Sequence, residues 1–153
     1  MRKGLQLASP VERAAFGGLA SFAVTIGAAR TINVIRERRR RFPVLRSLAR
    51  RAYYAPGGEE LRIHHFLPGI VVSALAGAAA IFTRDDGLEL LLSLPFGTGA
   101  GLTLDEVALL VDLDNAYWAS ENLVAAQAVI AALGTLGLAA RFRQKSREST
   151  SSE

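Results

Sequence analysis

Four long apolar runs constrain this chain more than any other feature of its sequence. They cover residues 14–35, 66–83, 88–113 and 123–140. A helix that crosses a membrane needs about 20 mostly apolar residues, because roughly 30 Å of hydrocarbon is crossed at about 1.5 Å per residue. A core helix of a soluble domain can imitate one such run. Four runs in one small chain instead predict an all-α, polytopic membrane helix bundle.

The third run, 88–113, is long enough to span a membrane but is the least regular of the four. It contains Pro95, a glycine-rich stretch and several carboxylates. Two interpretations stay open: a complete spanning helix, or a broken or re-entrant segment whose irregular backbone lines a cavity. We expect four spans within a single domain at 1–145, followed by a disordered polar tail at 146–153.

The segment 36–62, between the first two runs, is rich in arginine, and we call it the arginine belt. Basic loops beside a span stay on the cytoplasmic side of the membrane, which places the N-terminus outside. The spacing of its apolar and basic residues predicts an interfacial helix on anionic headgroups, with a solvated retention signal as the alternative. The arginines expected to contact lipid headgroups are Arg39, Arg40, Arg46, Arg50 and Arg51.

Four spans create one conflict with the positive-inside rule. If the arginine belt is cytoplasmic, the basic residues at 141–147 lie outside, which the rule disfavours. A re-entrant third segment would bring this tail inside and remove the conflict. The four-span arrangement is nevertheless the one that we expect, because the second and third runs carry small residues suited to antiparallel helix packing.

Composition excludes several kinds of chemistry and indicates an origin. The chain has no cysteine, which excludes disulfides, thiolate catalysis and Cys-ligated metal centres. Its bias toward Arg, Ala, Gly and Leu is typical of a GC-rich bacterial genome, so we expect a multi-pass protein of the bacterial inner membrane. Topology explains the charge of the arginine belt, and the sequence therefore does not favour nucleic acid as a partner.

The second and third runs carry rows of small residues at four-residue steps. These rows are Gly69, Ser73 and Gly77 in the second run, and Ser93, Gly97, Gly101 and Asp105 in the third. Helices in lipid associate through close packing of small residues. Folding the two runs about the turn at 83–87 therefore predicts that the rows meet, with Gly69 opposite Gly101 and His65 opposite Asp105.

This hairpin would bring ionisable residues to one depth near the arginine belt. Ionisable side chains inside a span are costly and indicate a functional site with a paired partner. The polar cluster predicted here comprises Arg30, His64, His65, Asp105, Glu106 and Asp112.

Three functions are compatible with the polar cluster. In the first, Arg30 neutralises Asp105 or Glu106, and the chain is a structural or partner-binding membrane module, with a second copy or another membrane protein as partner. In the second, His65, Asp105 and Glu106 bind zinc, iron or manganese and activate water for hydrolysis of a lipid or lipid-linked substrate. The third is an ion or proton pathway, which the clustering at one depth disfavours. The sequence does not decide whether the protein is an enzyme.

Two segments resemble a group of small actinobacterial integral membrane proteins. Residues 63–70 read IHHFLPGI, similar to the HIHHxVPGI-like segment of that group, and residues 102–118 read LTLDEVALLVDLDNAYW, similar to its LDEFAL and DVYW motifs. The resemblance implies a membrane helical architecture and no particular reaction. The recurrent positions of the group correspond here to His64, His65, Asp105, Glu106, Tyr117 and Trp118.

Overall fold

The computed structural model describes residues 2–40, 66–83, 87–111 and 117–151. These ranges hold helices and short connections without a strand, which confirms the predicted all-α class. In chain order the helices are α1 (Arg2–Gln6), α2 (Pro10–Arg40), α3 (Phe66–Phe82), α4 (Glu89–Val111) and α5 (Tyr117–Ser151). Of the predicted interfacial segment at 36–62, residues 41–62 with Arg46, Arg50 and Arg51 lie outside the described residues, as do His64, His65 and Asp112.

Helix α2 begins at a capping box that the sequence Ser-Pro-Val-Glu encodes. The hydroxyl of Ser9 accepts a hydrogen bond from the backbone N–H of Glu12, and the Glu12 carboxylate accepts one from the N–H of Ser9. Pro10 follows at the first helical position, where its missing N–H costs nothing. The helix continues beyond the first apolar run to Arg40, so its backbone enters the arginine belt.

Helix α4 is one helix from Glu89 to Val111, although Pro95 lies inside it. Proline removes one intrahelical hydrogen bond, and here it does not end the helix. The helix is therefore not broken at Pro95, which contradicts the interpretation of the third segment as a broken helix.

Helix α5 extends to Ser151, which differs from the disordered tail predicted at 146–153. Residues 143–148 include good helix formers, and adding residues to an existing helix is easier than starting a new one. Lys145 is also held by an ion pair with Glu12, 2.7 Å from Nζ to Oε2. Tertiary contact and helix propagation together order a segment that composition alone described as a polar tail.

The long helices pack in the order α3, α4, α2, α5, with a smaller contact between α4 and α5. Helices α2 and α4 run in the same direction, as their two ion pairs show. Helices α3 and α5 run in the opposite direction, because the start of α3 meets the last part of α4 and the last part of α5 meets the start of α2. The interior is small: Ile26 and Val124 are buried, and Phe22 and Ala128 pack against them where α2 meets α5. Most large apolar side chains therefore face outward.

Two helices are long and apolar enough to span a membrane. These segments are Pro10–Ile32 and Asn122–Ser151, and Phe66–Phe82 is apolar but shorter. Only 11% of each spanning window is buried inside the structure, so neither helix is the buried core of the part that the structure describes. Two of the four predicted spans thus meet a criterion of length and composition.

Candidate functional site

Two faces of α4 pack on two different helices. The row of Ser93, Gly97 and Gly101 lies against α2. A Cβ atom on Gly97 would overlap the carbonyl oxygen of Gly18, and one on Gly101 would lie 3.1 Å from the Cβ of Thr25. At position 97 only glycine permits this approach of the two backbones, whereas a side chain at position 101 would require its neighbours to shift by a few tenths of an ångström. The small-residue row is therefore a helix contact, and its partner is α2.

The other face of α4 packs on α3. A Cβ atom on Gly69 would lie 2.6 Å from the Thr103 hydroxyl and 2.8 Å from the carbonyl oxygen of Gly99. One on Gly99 would meet Ser73, 2.5 Å from its hydroxyl oxygen. Gly77 is less crowded, because its nearest neighbour is the ring of Phe96 at 3.7 Å from a built Cβ.

The predicted pairing of the small-residue rows is therefore wrong in its partner. Gly69 faces Gly99 and Thr103 on α4, whereas Gly101 faces α2. The predicted position along α4 was nearly right, because Gly69 contacts residues 99 and 103, on either side of the predicted position 101. The error arose because α4 carries glycines on two faces, and spacing alone does not say which face meets which helix. Asp105 extends the α2-facing row and meets an arginine there.

Arg30 and Asp105 form an ion pair between α2 and α4. Arg30 Nε lies 2.8 Å from Asp105 Oδ1, and their side chains are 27% and 14% exposed. The N–H of Nε does not point well at the carboxylate, and neither atom makes an aligned hydrogen bond in the described part of the chain. The contact is thus mainly electrostatic. It is one of the two arginine–carboxylate pairs that the sequence allowed.

The Glu106 side chain contacts α3, on the other side of α4 from α2. Its Oε2 accepts a hydrogen bond from the backbone N–H of Phe66 at 2.5 Å. Phe66 is the first residue of α3, so Glu106 supplies a carboxylate to a helix N-terminus, where unpaired N–H groups and the helix dipole favour negative charge. Adjacent carboxylates of α4 therefore bind α2 and α3 separately.

The histidines of the predicted cluster are not described, and neither is Asp112. The N–H of Phe66 nevertheless brings the backbone directly after His65 to Glu106. Among the residues that the structure describes, no group of three His, Asp or Glu side chains could hold a metal ion. The pairing of His65 with Asp105 stays a prediction.

A second polar cluster lies at the other end of the bundle, and sequence analysis missed it. Glu12 is its centre: Oε2 accepts from Lys145 Nζ at 2.7 Å, and Oε1 lies 3.6 Å from an Arg141 guanidinium nitrogen. Arg13 and Glu89 form a further pair at 3.3 Å. The Ser-x-x-Glu capping box was the only local signal, because nothing in the linear sequence relates Glu12 to Lys145.

Aromatic packing joins the first part of α2 to the last part of α5 at this end of the bundle. Phe142 is fully buried, and its ring packs edge-on against Phe16 with the centroids 5.4 Å apart. Gly4 of α1 lies so close to the Phe142 backbone that any side chain at position 4 would overlap its carbonyl. The N-terminal segment and α5 therefore form one packed unit around the Glu12 cluster.

Comparisons with known proteins assign no family to this chain. No known protein family, curated protein or solved structure matches it. The class of protein is therefore the one that the helices themselves define. It is an all-α bundle with two candidate membrane-spanning helices and ion pairs between helices at both ends.

Proposed function

We propose that this chain is a multi-pass integral membrane protein of the bacterial inner membrane that acts as a structural or partner-binding module. In this proposal α2, α3, α4 and α5 all cross the bilayer, and the arginine belt faces the cytoplasm. The observation that carries the proposal is the contrast between apolar outer surfaces and paired charges. Large apolar side chains face outward on every long helix, while ionisable residues pair from helix to helix.

The outward apolar surface supports lipid as the surrounding medium. Val24 on α2, Leu75 on α3, Leu91 on α4 and Leu133 on α5 are each more than 60% exposed. Soluble monomers rarely expose continuous apolar surface of this kind. In a bilayer the same surface contacts hydrocarbon without cost, and helix association rests on small residues and polar pairs.

The directions of the helices favour four spans. Residues 141–145 of α5 lie beside Glu12 near the start of α2, at the end of the bundle away from the arginine belt. With the belt inside, the tail is outside, as the four-span arrangement requires. Glu12 offsets part of the positive charge of Arg141 and Lys145, which reduces the conflict with the positive-inside rule.

The use of the carboxylates favours a structural role over catalysis. Asp105 forms an ion pair with Arg30, and Glu106 accepts a hydrogen bond at the N-terminus of α3. Each contact ties α4 to one neighbour and satisfies a charge that would be costly in a span. A bundle fixed in this way presents a defined surface to a membrane partner.

A metal-dependent hydrolase is the second candidate, and one contact favours it. The hydrogen bond from Phe66 to Glu106 brings the chain next to His65 close to a carboxylate of α4. Imidazole and carboxylate ligands suit zinc, iron or manganese. Metal analysis of the purified protein separates the candidates: the module holds no stoichiometric metal, whereas a metal site loses its ion on His65→Ala and on Asp105→Ala.

Labelling of introduced cysteines tests the topology, because the chain has none of its own. We expect Asp86→Cys to react with a membrane-impermeant maleimide in intact cells and Ser47→Cys to react only after lysis. The reverse pattern would place the arginine belt outside. Reaction of both residues with the reagent in a soluble fraction would contradict the membrane assignment itself.

A further inference from the structure

A groove of about 660 Å³ lies over α4, between α2 and α3. Its floor includes Phe96 and Ala100 of α4, and its walls include Gly18 of α2 and Ala80 of α3. It forms because α3 is pressed onto α4 at Gly69 but is held further away at Gly77 by the ring of Phe96. The two outer helices thus leave part of α4 uncovered.

The groove has the length of one leaflet of a bilayer. It extends along α4 from Glu89 to Ala100. These positions are separated by about 16 Å at the helical rise of about 1.5 Å per residue. The hydrocarbon core of a bilayer is about 30 Å thick, so the groove extends from the membrane surface to about the midplane. Its inner end is closed where Gly69 and Gly99 bring α3 and α4 together.

Glu89 is the charged residue of the groove lining, and it lies at the outer end. Its Oε1 contacts Arg13 at 3.3 Å, and the side chain is 18% exposed. Its Oε2 is buried and has no hydrogen-bond partner in the part of the chain that the structure describes. An unsatisfied carboxylate oxygen is costly, and a cationic donor that reaches it after a small turn of the side chain relieves that cost.

We propose that the groove binds one acyl chain of an aminophospholipid whose headgroup ammonium donates to Glu89. The inference rests on the proposed membrane location. The floor and walls of alanine, glycine and Phe96 suit hydrocarbon, and the volume lies within the range of about 300–1,000 Å³ usual for small-molecule sites. Arg13 offsets the charge of Glu89 through Oε1, so the preference rests on Oε2, which still needs a donor and can accept from the N–H of an ammonium headgroup.

A transmembrane helix fits this groove less well than an acyl chain does. A spanning helix is about 10–12 Å wide with its side chains and needs a contact surface across the whole bilayer. The groove ends near the midplane at the close contact of Gly69 with Gly99. A phospholipid acyl chain also ends near the midplane, so its length matches that of the groove.

Lipid binding to the full chain in detergent tests this site. Phosphatidylethanolamine and phosphatidylglycerol with identical acyl chains are titrated, and bound lipid is counted by native mass spectrometry. We expect roughly tenfold tighter binding of phosphatidylethanolamine, as a charge-assisted hydrogen bond would give. Glu89→Gln should remove most of this preference. Equal binding of the two lipids by the unaltered chain would overturn the headgroup assignment.

A second variant tests the groove without changing its charge. Ala80 is exposed in the groove wall, so Ala80→Leu fills the groove and should weaken binding of both lipids severalfold. Ala126→Leu, on the exposed surface of α5 and away from the groove lining, is the matched control and should bind as the unaltered chain does. Unchanged binding by Ala80→Leu would overturn the site.

The oligomeric state distinguishes a second copy from a lipid as the occupant. If Ala80→Leu converts a dimer to a monomer, the groove holds a helix of a second chain, and the lipid proposal is wrong. If lipid selectivity is missing but the cysteines at positions 47 and 86 label on opposite sides of the membrane, only the lipid site fails. The proposed membrane module then stands.

Discussion

The two faces of α4 differ in how closely they pack against the neighbouring helices α2 and α3. Toward α2, glycines at positions 97 and 101 permit close backbone contact along the row that ends in the Arg30–Asp105 ion pair. Toward α3, contact is close at Gly99 but opens at Phe96, and Glu106 binds the backbone at the start of α3. The α2 face is thus close along its length, whereas the α3 face is close at one end and leaves a groove at the other.

This difference shows that one ionisable residue can determine which helix a row of small residues packs against. The row of Ser93, Gly97 and Gly101 would pack on any helix that offers small residues. Asp105 continues this row, and its charge needs a cation at the same depth. Arg30 of α2 supplies that cation, whereas the described residues of α3 carry no basic side chain.

The largest expected effect is that of a methyl group on the α2 face. Gly97→Ala would drive a Cβ atom into the backbone oxygen of Gly18, which cannot move without displacing α2. We expect the free energy of unfolding in detergent to fall by about 3 kcal/mol, at the upper end for overpacked sites. Gly77→Ala, on the open part of the α3 face, meets only ordinary contacts and should cost less than about 0.5 kcal/mol.

Gly137→Ala controls for helix propensity, because no atom lies within 4 Å of a Cβ built at that position. It should be neutral or stabilise the protein by up to about 1 kcal/mol, as alanine favours helix over glycine. If Gly97→Ala were as stable as this control, the close contact of α4 with α2 would be wrong.

Loss of the ion pair should have the next largest effect. Arg30→Ala or Asp105→Ala leaves a partly buried charge without its partner. Each should lower the free energy of unfolding by about 2 kcal/mol, less than for a fully buried pair, because the two side chains are partly exposed. The double variant should cost little more than either single one, because both changes remove the same interaction. Additive losses in this double-mutant cycle would show that the two residues act independently.

The smallest of the three effects concerns the start of α3. Glu106→Ala removes the carboxylate that accepts from the N–H of Phe66 and should cost about 1 kcal/mol, as for loss of a helix cap. Glu106→Gln keeps an oxygen acceptor and should recover much of this loss. A larger effect from Glu106→Gln than from Glu106→Ala would mean that charge at this position serves something other than the helix end.

Sequence patterns predicted the helices well and their neighbours less well. The apolar runs located α2, α3, α4 and α5, because each run is long enough to form several turns of helix. The four-residue steps identified Gly97 and Gly101 as packing residues but did not identify α2 as their partner. Contact between helices depends on rotation about the helix axis, and a helix with glycines on two faces fits two rotations equally well.

The sequence predicted an ion pair of the candidate site where both partners lie at the same depth within apolar runs. It did not predict a pair whose partners have no such common reference. Arg30 and Asp105 could be matched by counting turns from the ends of their apolar runs. The pair of Glu12 with Lys145 could not, because the two residues are 133 positions apart and no pattern in the linear sequence relates them. The carboxylate of Glu89 gave no sequence signal beyond its place after the turn.

Disulfide formation between introduced cysteines tests most directly which helix the small-residue row of α4 meets. The chain has no cysteine, so each pair is observed without background. A Cβ atom added to Gly101 would lie 3.1 Å from the Cβ of Thr25, close to the separation of about 3.5–4.5 Å in a disulfide. We predict that Thr25→Cys with Gly101→Cys crosslinks readily in membranes, and that Gly69→Cys with Gly101→Cys does not. Crosslinking of the second pair and not the first would restore the hairpin that the sequence predicted and contradict the structure.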